Sequence, residues 1–206
     1  MTPLLSTAYL PPLEYFFYLN KSTEVSIDLY ENYIKQTYRN RCYIMAANGR
    51  LSLSIPIIKT FGNHTKVKDV KIDYSQPWQR LHWRSIESAY NSSPFFLYFR
   101  DAIEPFYERK FNFLFDLNNE MLQVLLRHCG IATEIKFAES YIEKKEELTD
   151  LRNTITPKRK SKSFIDFPKY NQVFGDKFGY MPNLSIIDLL FNEGKYSKEY
   201  LSNLRH

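Results

Sequence analysis

The sequence predicts an α/β domain: a mixed sheet with a projecting β-hairpin and flanking helices. Three observations predict it. The chain opens with a strand, a proline-started helix and a second strand. An Asn48-Gly49 dipeptide lies between two alternating apolar runs. Two later stretches carry apolar residues at helical spacing.

Leu4–Tyr9 reads as the first strand. Pro11-Pro12 starts a helix over Leu13–Leu19, because proline is tolerated in a first turn. Val25–Leu29 alternates and reads as the second strand. Tyr30–Arg41 fits no simple period; a polar, aromatic segment of this kind is where ligand-binding groups concentrate. Cys42–Ala47 and Arg50–Ile57 flank Asn48-Gly49, which favours a type I′ hairpin turn. Lys68–Tyr74 alternates again.

Trp78–Tyr90 is a predicted helix, with Trp78, Leu81, His82, Ser85, Ile86, Ala89 and Tyr90 on one stripe. Phe111–Cys129 is a second, ended by Gly130 in the usual C′ place. Thr133–Phe137 and Tyr170–Phe174 read as short strands. Residues 141–162 are so charged that they read as a solvated helix or excursion. Ser185–Asn192 is an apolar, buried helix, and Ser197–Leu204 a last one. Residues 1–206 therefore read as a single domain.

Composition narrows the function classes. Hydrophobic residues make up 44% of the chain, enough for a sizeable core. The 16 Tyr and 16 Phe suit pocket walls as well as cores. A net charge of +5 allows an anionic ligand without demanding one. The one dense basic run, Lys158–Lys162, has no interleaved aromatics, so nucleic acid is disfavoured as a partner. Cys42 and Cys129 show no pairing or metal-ligand spacing, and the four histidines are isolated, so no metal and no cofactor are expected. The apolar start lacks a signal peptide's positive charge, and no stretch reaches a membrane span. A reduced, cytoplasmic protein is expected.

No Gly-rich phosphate loop and no nucleophile elbow occur. What remains are polar residues where periodicity predicts burial. His82 is a core histidine bonded to a backbone carbonyl, or a general base facing a pocket. Asn118 bonds a neighbouring loop, or fixes a ligand. Asp188 completes a capping box with Ser185, or points a carboxylate into a site with Arg41 or Lys35 as partner. Tyr33, Lys35, Tyr38, Asn40 and Arg41 in the irregular segment form a surface loop with snorkelling side chains, or a site in which Arg41 and Lys35 bind phosphate or carboxylate and the tyrosines stack on a sugar or base.

These residues also carry a resemblance. Tyr9-Leu10-Pro11 with Tyr15-Phe16 resembles the opening of the WbqC-like family. Tyr33, Lys35, Tyr38, Asn40 and Arg41 resemble its next segment, with Asn32 and Tyr38 in place of Gln and Trp. The Gly49 hairpin, the Trp78–His82–Ile86–Tyr90 helix and the block Leu184–Gly194 match too, so the likeness spans about residues 4–204. One departure stands out: typical members place His-Gln-Pro where this chain has Leu5-Ser6-Thr7.

The resemblance implies surface-polysaccharide (O-antigen-type) biosynthesis. It suggests a transferase attaching an amino-acid or other small acyl group to a nucleotide-linked amino sugar. Tyr9, Tyr33, Lys35, Asn40, Arg41 and Asn118 would then bind the small-molecule substrate, with His82 and Asp188 as catalytic candidates. The alternative is a non-catalytic accessory protein that binds a sugar nucleotide or another anion. The opening strand–helix–strand order also resembles, as fold analogy, a Rossmann-like nucleotide-binding unit.

Overall fold

The structure, a computed structural model, describes residues 1–143, 147–158 and 164–205. Most of the basic run at 158–162 and His206 lie outside the described residues.

Four parallel strands form the main sheet in the order β7-β2-β1-β8. β1 is Thr2–Leu5, β2 Glu24–Ile27, β7 Glu134–Phe137 and β8 Leu148–Asp150. β1 lies inside, pairing Leu5 with Ile27 on one side and Leu4 with Asp150 on the other. Leu4 and Leu5, which point to opposite faces, are both fully buried, so β1 is covered on both sides. β7 is an edge, and its Lys136 pairs with Glu24 of β2. Between β1 and β2 runs α1 (Leu13–Lys21), entered from Pro12 and buried through Leu13, Phe16 and Leu19.

Antiparallel pairing occurs apart from this sheet. β3 (Arg41–Ala46) and β4 (Gly49–Ser54) form the expected hairpin. Its turn differs in kind. Ala47 and Asn48 make the turn, and of Asn48 and Gly49 only Gly49 has a positive φ, at 97°. That is a turn followed by a glycine, not a type I′ turn over Asn48-Gly49. β5 (Ile57–Ile58) and β6 (Lys71–Ile72) form a second small pair. The chain is thus an α/β protein whose parallel and antiparallel strands are segregated.

The helices α2 (Trp78–Tyr90), α3 (Phe96–Ile103), α4 (Pro105–Glu108) and α5 (Leu114–Cys129) follow β6. α5 buries Leu117, Met121 and Leu125, each contributing roughly 1.5–3 kcal/mol relative to exposure. Gly130 ends it at φ 64°. α6 (Gly175–Phe178), α7 (Ile186–Glu193) and α8 (Ser197–Asn203) complete the fold. α7 is buried from Ile186 to Asn192 and ties back to the start of α1, where Leu13 N–H donates to Leu184 O.

Several expectations are corrected. β1 ends at Leu5, not Tyr9, because Ser6 turns to bond Arg152 O and Tyr9 N–H turns to Tyr38 O. The strand expected over Lys68–Tyr74 shrinks to Lys71–Ile72, since Val67–Asp69 coils into a 3-10 turn. α5 starts at Leu114 because the backbone of Phe111 is held by the Tyr74 hydroxyl. Tyr170–Phe174 forms no strand; Tyr170 and Gln172 turn their side chains to Asp188. Most telling, the charged 141–162 stretch contains β8. Its charges are not all solvated: Arg152 is buried against Asp150 and Asp28.

Candidate functional site at the carboxyl edge of the sheet

From β1 the chain leads to β2 on one side, while β8 lies on the other. The gap between β1 and β8 is therefore a switch point, and open parallel sheets bind ligands outside the carboxyl ends of strands at such points. The residues that leave those ends are Ser6-Thr7 after β1, Asp28 after β2 and Leu151-Arg152 after β8.

Five charges are locked together there. Arg152 donates Nε and Nη2 to the Asp150 carboxylate, and Nη1 to Asp28 and to Ile142 O. Asp28 also accepts the backbone N–H groups of Tyr30 and Glu31. Arg39 makes a two-pronged pair with Glu31, at 2.9 and 2.7 Å, and its Nη2 reaches Arg152 O. Asp28, Glu31, Arg39 and Arg152 are each at most 5% exposed. Side-chain bonds to Asp150 and Asp28 raise the Arg152 pKa, so the guanidinium stays charged.

Behind this network is a narrow cavity of about 10 Å³, bordered by Ser6, Thr7, Tyr15, Tyr38 and Arg39. It has room for roughly one water. In front of it opens a groove of about 540 Å³, walled by Glu31, Asn32, Lys66, Tyr141, Asp150 and Asn153. Arg152 borders both spaces. The Lys66 ammonium bonds Asn32 Oδ1 at 2.9 Å.

Most of the residues singled out in the sequence gather around the turn 37–41. Tyr38 O receives Tyr9 N–H, and Arg39 O receives Asn118 Nδ2 at 2.9 Å. Asn118 also reaches Thr7 Oγ1. Asn40 Nδ2 donates to Ile55 O. Arg41 stands opposite Ser54 in the hairpin, and the His82 ring bonds the Ser54 backbone. Tyr33 is near enough to Arg41 and Arg39 for both to oppose the rise that burial imposes on its hydroxyl, which is pushed up to about 12. Three buried polar atoms in this neighbourhood, Asn40 Oδ1, Arg41 Nε and Asn118 Oδ1, have no hydrogen-bond partner among the described residues.

His82 is enclosed. Its Nδ1 lies 3.0 Å from the Tyr9 hydroxyl, which lies 2.7 Å from that of Tyr107. Burial lowers its pKa to about 4, against a smaller upward effect of the Ser54 bond. The ring is therefore neutral near pH 7.

Two residues stand apart. Lys35 is exposed, and its carbonyl accepts from Lys158. Asp188 makes no side-chain cap; its carboxylate accepts from Tyr90 (2.7 Å), Tyr170 (2.6 Å) and Gln172 (2.8 Å). Its partners are thus neutral donors, not Arg41 or Lys35. Burial raises its pKa, with those three bonds opposing.

Sequence reasoning missed Asp28, Asp150 and Arg152. Asp28 had a signal, since it lies near the carboxyl end of an expected strand. Asp150 and Arg152 had none, being charges in a charged stretch. Among the described residues no cluster of His, Cys, Asp or Glu fits a metal ion, and no helix is long and apolar enough to cross a membrane. Cys42 and Cys129 are buried and unpaired, and burial pushes both thiols up.

Fold and groove together define an α/β protein with a small-molecule-sized opening at the carboxyl edge of a parallel sheet. The model of the WbqC-like protein family matches residues 7–166, and the chain belongs to that family. It is similar to a Mycobacterium tuberculosis protein named Uncharacterized protein Rv1507c, with 26% identity over 98% of this chain and 97% of that one. No solved structure gives a significant match.

Proposed function

We propose that this protein binds a nucleotide-linked amino sugar at the carboxyl edge of its parallel sheet and serves surface-polysaccharide biosynthesis. The groove at the β1–β8 switch point carries the reading, because its volume falls within the range of small-molecule sites. Its chemistry suits a carbohydrate. Asn32 and Asn153 offer amides to hydroxyls, and Tyr141 offers a ring. Lys66 supplies a cation for a phosphate. The polysaccharide setting rests on the family resemblance.

A second reading adds chemistry: transfer of an amino-acid or other small acyl group to the sugar's amine. The unpartnered atoms of Asn40, Arg41 and Asn118 favour it, since unmet buried polar groups cost stability and tend to mark function. In that reading Arg41 holds an anionic group of the donor, and Asn40 and Asn118 orient it. His82 and Tyr9 are both enclosed and in this reading position the residues around them without touching the substrate. Asp188 keeps a structural role in both readings.

The test is calorimetric titration with a UDP-linked amino sugar, beside UDP and the free sugar. Saturable binding is expected, weakened about tenfold or more by Lys66→Ala with Asn153→Ala at unchanged melting temperature. Absence of saturation at millimolar ligand would sink the binding reading. Mass spectrometry of the sugar after incubation with amino-acid donors decides between binding alone and transfer.

A further inference from the structure

A separate groove of about 410 Å³ lies between the start of α2 and the turn after α4. Its walls include the rings of Tyr74, Trp78 and Tyr107, with Arg80 and Lys110 among its lining residues. Three of its features lack something, and each lacks the same thing.

Arg80 and Lys110 make no ion pair among the described residues. Lys110 Nζ instead hovers 5.2 Å from the Tyr74 ring centre. No carboxylate among the described residues lines the groove. Asp73 and Glu108 adjoin lining residues in sequence without lining the groove themselves; Asp73 holds Ser75 N–H, and Glu120 is paired with Arg109. Trp78 is only 3% exposed, yet its indole N–H has no acceptor among the described residues. A buried donor left unpaired costs free energy, and an acceptor from a ligand removes that cost. Gln79 adds no free donor, because its Nε2 already serves Phe106 O and Arg109 O.

The aromatic wall is held rigidly. Trp78 packs edge-on to His82 at 5.1 Å between ring centres. Tyr107 stacks on Trp83 and bonds the Tyr9 hydroxyl. Trp78 and Tyr107 thus form a buried, fixed backing, against which the half-buried Tyr74 is presented without reorganisation. Planar rings with nearby cations are the standard means of holding a base and its phosphate together.

We infer that this groove is a second ligand site, for a planar molecule bearing a phosphate or comparable anion, of the nucleoside monophosphate class. The ring of the ligand stacks on the half-buried Tyr74 ring, and its anion lies between Arg80 and Lys110. The groove shares no lining residue with the carboxyl-edge groove, so this site stands independently of the reading above.

Trp78 makes the test direct. UMP is titrated into the full chain, with tryptophan emission and calorimetry read together. Uridine and inorganic phosphate serve as the two halves of the ligand. Saturable quenching by UMP is expected, with each half binding about tenfold more weakly or worse. Arg80→Ala with Lys110→Ala is expected to weaken UMP about tenfold at unchanged melting temperature, because both side chains are exposed. Lys66→Ala with Asn153→Ala, at the other groove, is expected to leave UMP binding as it was. No saturable heat or quenching overturns the inference. So does UMP binding that survives Arg80→Ala with Lys110→Ala, or that is lost with the carboxyl-edge pair.

Discussion

The two grooves differ in how their charges are kept. At the carboxyl edge, Asp28, Glu31, Arg39, Asp150 and Arg152 satisfy one another inside the protein. Beside α2, Arg80 and Lys110 stand exposed with no ion pair among the described residues, near an indole N–H that has no acceptor among them. Charge in the first region holds strand ends together. Charge in the second is left free for something else. A buried ion network is therefore weak evidence for ligand binding by its own members, and the groups to watch are those beside it.

The sharpest way to break this comparison is Arg152→Ala. It leaves Asp28 buried without its cation, and loss of about 3–5 kcal/mol is expected from urea unfolding. A loss under 1 kcal/mol would show that the network does not hold the edge.

Acid titration comes next. His82 has its pKa lowered from 6.5 to about 4, so its neutral form is the one the fold accepts. Its contribution is present above pH 6.5 and is lost as pH falls toward 4. That loss amounts to about 3 kcal/mol at most, at 1.36 kcal/mol per unit. His82→Gln should flatten this part of the stability–pH curve; an unchanged curve would show that His82 is not responsible.

A smaller effect is expected at the 37–41 turn. Asn118→Ala removes the donor to Arg39 O and Thr7 Oγ1 but also deletes the unpartnered Oδ1. The net cost should be about 1–2 kcal/mol by thermal or chemical unfolding. A stabilised variant would mean that the unmet oxygen outweighs both bonds.

The smallest effect belongs to the α2 groove itself. Arg80→Ala should change stability by less than about 0.5 kcal/mol, the usual range for an exposed side chain. A larger loss would move Arg80 into the same structural role as Arg152.

Periodicity made part of this legible. The glycine stop of α5 is a local pattern and appears where the spacing put it, while the stripe of α2 holds at Trp78, His82, Ile86, Ala89 and Tyr90 but not at Leu81, which is exposed, with Trp83 buried instead. The expected inward face of His82 was legible for the same reason. β8 was not, because its three residues take their place from partners about 146 positions away, and the local signal of charge pointed to solvent. The groove beside α2 was half legible: Trp78 lay on the predicted stripe of α2, while Lys110 and Tyr107 arrive from another segment. Asp188 shows the limit of motif spacing. Ser185 and Asp188 have the spacing of a cap, yet Tyr90 and Tyr170 claim the carboxylate through tertiary contact.

The placement of β8 has a consequence for the order of events during synthesis. Thr2 pairs with Leu148, so β1 leaves the ribosome long before its partner β8. At roughly 5–20 residues per second, the wait after β2 is on the order of ten seconds. Through that interval one edge of β1 is open, with the apolar Leu4 and Leu5 beside unpaired backbone, a state in which a nascent chain is exposed to chaperones and to neighbouring chains. The carboxyl edge, and any ligand it holds, can exist only once Arg152 has emerged to close it.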